Sequence, residues 1–387
     1  MKKVVYVSYQ PITEYTKSNF YIDKVKEEGF DVEYWDLTNI FFPGILERNY
    51  SYEAVRILNT YKELESKFKE QKNVETIYVL IFTYEYRTLK FFRILQEYKC
   101  KTIFFARGAI PSSVYSTPLR AKLLKAINPS RLKNFILNKY AAYQKKKGDI
   151  KPYDLILNAG KLGFVTIGMG SEIEVEKSEF IDINSIDYDK YQDTINVEDI
   201  VGYKYGLFLD TYFPKHPDMI MLGIKTMSPK DYYADINKFF DFLEFKYKTR
   251  IVIAAHPKAE DYRTNNPFNG RKVIFNKTAE LSRHCDFAMT HMSTSVSYSV
   301  LNKKPVLFLT SNQFKSIMPD YDRWIANLAN VLGGSLVDMD NLNDMGINIS
   351  TVNQEKYDDY KFQYLTSKGS ENKTTKEIFV NLLKETL

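Results

Sequence analysis

The chain has 387 residues, of which 44 % are hydrophobic and 26 % charged, and its 54 Lys and Arg exceed its 48 Asp and Glu to give a net charge of +6. That profile fits a soluble globular protein of about two domains and excludes collagen-like, disulfide-stapled and wholly disordered chains, since Cys100 and Cys285 alone build neither a disulfide framework nor a zinc site. No apolar run approaches the ~18–20 residues of a membrane-spanning helix, and the apolar part of the basic start is too short to read as a signal-peptide core, so a cytoplasmic chain is expected.

In the first half, apolar blocks at 3–8, 31–35, 75–82, 102–106 and 155–158 read as strands. Amphipathic stretches at 19–28, 52–69 and 87–97 read as helices between them. Near-continuous apolar strands alternating with helices predict a parallel sheet covered on both faces. The second half repeats the logic, with strands at 205–209, 250–255, 273–275, 287–290 and 305–309 and helices at 232–246, 279–284 and 295–301. The polar stretch 182–201 reads as the connector. The expected fold class is α/β, with two Rossmann-like doubly wound domains facing a central cleft. Residues 1–195 make the first domain, 196–370 the second, and 371–387 end the chain in a closing helix.

Positive charge is concentrated in one place. Between Arg120 and Lys151 there are ten basic residues and one acid, Asp149, so this segment carries +9 and the remainder −3. Within it, SRLKNFILNKYAAYQKKKG places Leu132, Phe135, Ile136 and Tyr140 near one side of a helix, among lysines that include Lys145, Lys146 and Lys147. Such a stretch suits an anionic membrane surface. The alternative is a helix packed on its own domain by that apolar face. No recognisable nucleic-acid fold accompanies the patch, and no nucleic-acid partner is expected.

In open α/β sheets, ligands gather beyond the carboxyl ends of the strands. All four histidines (His216, His256, His284 and His291) fall in the second half, and His256 and His291 each close a predicted strand. Pro257 disfavours helical geometry at His256 and holds the imidazole at the strand end. There it can give a proton or a charge-assisted hydrogen bond to an anion, with Lys258 adding charge. Beyond the strand that ends at Thr290, Ser293, Thr294 and Ser295 precede a helix, and hydroxyls with free amides at a helix start make an anion pocket. Asp210 follows the first strand of the second domain, the place for a general base toward a sugar hydroxyl. His216 and Asp218 lie in the same loop as candidate substrate contacts. Each has a structural alternative: a buried core histidine, an N-cap serine, a turn aspartate. Two DxD-like strings at 187–189 and 338–340 follow no convincing strand, so no metal and no cofactor are expected.

Taken together, His256-Pro257 after one strand and Ser293-Thr294-Ser295 after a later one resemble motifs of bacterial GT-B glycosyltransferases of surface polysaccharide synthesis. More narrowly they are similar to the enzymes using cytidine-nucleotide donors: sialyltransferases, Kdo transferases and CDP-glycerol glycerophosphotransferases. The resemblance implies an acceptor-binding first domain and a nucleotide-sugar-binding second domain. By it, His256, Pro257, Lys258, His291, Ser293, Thr294 and Ser295 hold the donor phosphate, His256 protonates it as it leaves, and Asp210 takes the acceptor proton. It implies an inverting, metal-independent transfer of a sialic-acid-like or Kdo-like sugar from a CMP-sugar to a glycan or lipid-linked acceptor, with the protein peripheral on the inner face of the membrane. The alternatives are a CDP-polyol phosphotransferase and a UDP-sugar transferase or epimerase.

Overall fold

The computed structural model describes residues 2–44, 51–108, 110–115, 129–167, 171–216, 219, 224–341, 347 and 349–387. The first unit holds a seven-stranded parallel sheet in the order β3-β2-β1-β4-β5-β6-β7. Its strands are β1 (Lys3–Ser8), β2 (Asp31–Asp36), β3 (Val55–Ile57), β4 (Thr76–Leu80), β5 (Lys101–Ala106), β6 (Leu155–Ala159) and β7 (Glu179–Ile183). The interior strands are apolar on both faces, as helices on both sides require. Tyr78, Phe91 and Phe104 lie in the core on one face and Val4, Ile77 and Phe105 in that on the other.

The second unit holds a six-stranded parallel sheet in the order β10-β9-β8-β11-β12-β13. These are β8 (Tyr205–Leu209), β9 (Arg250–Ala255), β10 (Lys272–Phe275), β11 (Phe287–Thr290), β12 (Val306–Thr310) and β13 (Ser335–Asp338). Gly206 is required in the central strand, because a Cβ there would sit 2.5 Å from the Phe287 ring. Two parallel α/β units is the expected architecture.

The partition of the chain differs from the expected one. The first unit comprises 1–108, 119–186 and 366–387, and the second 109–118 and 187–365. The C-terminal helix Thr375–Thr386 therefore completes the first unit, where Phe379 packs edge-on against Phe105 at 5.0 Å. Asn184 fastens that return: its Nδ2 donates to the Lys373 carbonyl at 2.6 Å, and Thr366 Oγ1 donates to its Oδ1 at 2.6 Å. Residues 110–115 join the second unit because Asn327 Nδ2 donates to the Val114 carbonyl at 3.0 Å and Tyr115 meets Trp324 at 5.2 Å.

Candidate functional site

The second sheet carries three of the expected loops to one edge. β8 lies between β9 and β11, with Leu209 paired to Ala254 and Phe208 to Met289. Asp210 follows β8, His256 follows β9, and Ser293, Thr294 and Ser295 follow β11, so the exits are successive along the carboxyl edge. Strand order reverses between β8 and β11, the switch point at which open α/β sheets take ligands.

His256 is half-buried, while Pro257 and Lys258 beside it are exposed. The His256 carbonyl accepts from the Ala259 amide at 2.9 Å, which closes a turn through the two. Its Nδ1 accepts from the Lys258 amide at 3.2 Å, so the neutral ring carries its proton on Nε2. The ring lies parallel to Tyr212, with centroids 6.4 Å apart, and the His216 ring meets it at 4.9 Å and 67°. Tyr212 reaches this position with a left-handed backbone, φ 55°, and its hydroxyl donates to Asp261 Oδ1 at 2.9 Å. Lys215 pairs with the other Asp261 oxygen at 2.6 Å. Both histidine loops are thus anchored by one aspartate.

Asp210 is enclosed. It is 3 % exposed, and its carboxylate accepts from the Tyr212 amide at 2.9 Å and the His256 amide at 3.4 Å. Burial pushes its pKa up to about 7, against those amides and the Tyr262 hydroxyl, which favour the charged form. A carboxylate so placed latches the β8 exit to the β9 exit and does not present itself to an acceptor hydroxyl. This corrects the expectation of a catalytic base at 210.

His291 is corrected as well. It is fully buried among Phe208, Phe213 and Phe314, with Nδ1 donating to the Leu309 carbonyl at 2.8 Å and Nε2 accepting from the Tyr232 hydroxyl at 2.9 Å. Burial holds its pKa down to about 4, against the Leu309 carbonyl, which raises it. With both ring nitrogens committed, it is a core histidine that positions the β11 exit. Ser293 Oγ accepts from the Ser295 amide at 3.3 Å, a local turn, and Thr294 is exposed ahead of the helix Val296–Leu301. The Ser295 side chain makes no cap hydrogen bond.

Lys145, expected on the membrane-facing patch with Lys146 and Lys147, is buried and ion-paired to Glu174 under the Tyr84 and Tyr153 rings. Asp218, and the part of the basic segment at 120–128, lie outside the described residues. What sequence reading missed is the partnership of His216 with His256. Its only local signal in the sequence is that Pro214 and Pro217 flank the histidine in TYFPKHP.

No family model and no curated protein matches the chain. Solved structures do. A histidine-to-asparagine variant of the wall teichoic acid polymerase TagF aligns with 99 % of this chain and 88 % of its own at 13 % identity and a TM-score of 0.50. The UDP-GlcNAc 2-epimerase of Methanocaldococcus jannaschii aligns over 100 % of both chains at 13 % identity and a TM-score of 0.46. MurG of Acinetobacter baumannii does so at 8 % identity and a TM-score of 0.47. At such identities the likeness shows the fold, and the fold is of the GT-B type.

Proposed function

We propose that the protein is a glycosyltransferase that takes an acidic sugar, sialic-acid-like or Kdo-like, from a CMP-activated donor and adds it to a bacterial surface glycan. The observation that carries this reading is the His216–His256 pair, 4.9 Å between ring centroids, at the carboxyl edge of β8 and β9. The hydroxyls of Ser293, Thr294 and Ser295 follow β11 at the same edge, while the amides of Ser295, Val296 and Ser297 are already bonded within the turn. In the reaction the bond between the anomeric carbon and the phosphate oxygen breaks, and its electrons stay with the phosphate. His256 Nε2–H donates to that oxygen as negative charge grows on it, the kind of fixed donor that supplies much of catalysis. Ser293, Thr294 and Ser295 hold the remaining phosphate oxygens, with Lys258 adding charge. The acceptor oxygen forms the new bond to the anomeric carbon with inversion, and its proton passes to His216. Asp210 is a positioning residue that sets the His256 backbone.

The same spacing favours a second reading, a CDP-polyol phosphotransferase. Two imidazoles this close fit an acid and a base acting at one phosphorus. There the bond broken is P–O–P, and the donor phosphate stays in the product.

Release of CMP from CMP-sugar and CDP-polyol donors tests both readings, with mass analysis of the product for donor phosphorus telling them apart. His256→Ala and His216→Ala are each expected to lower turnover by ~10²–10⁴, the scale for losing an acid or base. Turnover of either variant within about tenfold of the parent would contradict its role.

A further inference from the structure

The helix Pro129–Lys147 of the first unit is turned inside out. Leu132, Phe135, Ile136, Tyr140 and Tyr143 recur at helical spacing on one face and are 45–59 % exposed. The opposite face, which carries Asn138, Ala141, Gln144 and Lys145, is the docked one, with Ala141 in the core. Tyr84 Oη donates to the Ala141 carbonyl at 2.8 Å, Arg93 donates to Gln144 at 3.2 Å, and the Tyr86 amide donates to Asn138 at 3.0 Å. Lys145 is pinned to Glu174 on that same side. The helix therefore does not rest on its domain by its apolar face, and five large apolar side chains are left facing outward.

Charge identifies what they face. Lys133, Lys139, Lys146 and Lys147 are exposed among or beside those rings, and the helix contains no acid. Asp149, just past its end, lies 3.8 Å from Lys147. We propose that this face is a membrane-docking surface for a bilayer rich in anionic lipid, on which the helix lies flat with its rings in the interface and its lysines among the headgroups. A second copy of the chain fits less well, because a two-fold contact would set four lysines against four. The inference is independent of the reaction proposed above.

Co-sedimentation of the full chain with phosphatidylcholine vesicles, with and without phosphatidylglycerol, tests it. Binding is expected only with the anionic lipid and is expected to weaken as salt rises. Phe135→Ser with Ile136→Ser lowers the affinity at least about tenfold. Lys146→Gln with Lys147→Gln lowers it about fivefold per lysine, while both double variants keep the parental melting temperature. Absence of binding, or equal binding to neutral vesicles, by the unaltered chain overturns the proposal whatever the variants do. So does a dimer in light scattering that the Phe135→Ser, Ile136→Ser chain no longer forms, which gives the face to a second copy.

Discussion

Asp210 and His291 stand one at each of two neighbouring strand exits, and burial acts on them in opposite senses. The Asp210 carboxyl, ordinarily near 3.8, titrates in the folded chain at about 7, so the folded state keeps a proton that the unfolded state has lost, and stability falls as pH rises between those values. The His291 ring, ordinarily near 6.5, titrates at about 4, so the unfolded state binds a proton first and stability falls as pH drops from 6.5 to 4. The two slopes oppose each other over most of the same window. Asp210→Asn removes one of them, so stability of the variant, followed by denaturant titration from pH 4 to 6.5, is expected to fall more steeply toward acid than that of the parent. Parallel curves would show that 210 is not a buried titrating group. Neither residue's setting was legible in the sequence. His291 ends a strand just as His256 does, but its partners Tyr232 and Leu309 lie 59 and 18 residues away and no local pattern announces them.

At the scale of elements, Lys145 joins the inverted helix to the helix Ser171–Lys177. Glu174 accepts from Lys145 with one oxygen, and with the other from the Tyr153 amide at 2.8 Å and Ser178 Oγ at 2.7 Å. Removing the cation strands a buried carboxylate. Lys145→Ala is expected to cost about 3–5 kcal/mol in the unfolding of the first unit, and Lys146→Ala less than about 0.5 kcal/mol. Equal small effects would contradict the burial of Lys145. Interior strands were legible because they are apolar on both faces. The edge strands β3, β7 and β13 were not, since VRI, EFIDI and SLVD carry at most one buried position each, and the stretch 52–69 expected as one helix is β3 followed by the helix Tyr61–Glu70. The helix expected at 19–28 is Ile22–Glu27, set off from a preceding short helix, Glu14–Asn19, by Tyr21 in the left-handed region at φ 57°. Nothing in a tyrosine foretells that break.

At the scale of the whole molecule, both sheets are parallel, and the second collects the His216–His256 pair, the Asp210 latch and the Ser293–Ser295 turn along one edge. Alternation of strands and helices made the two units legible, whereas the return of 366–387 to the first unit was hidden, because the hydrogen bonds that secure it join Asn184 to residues about 180–190 positions later. Half of the site was legible too. His256 and the serines could be placed by strand order alone, but the companion imidazole depends on how the loop after β8 folds. The proposed transfer requires that edge to be a nucleotide phosphate site. Calorimetric titration of the purified chain with CMP, UDP and GDP measures this directly: saturable binding that favours CMP, weakened at least about tenfold by His256→Ala, is the predicted result, and binding that favours UDP or GDP, or that His256→Ala leaves unchanged, would contradict it.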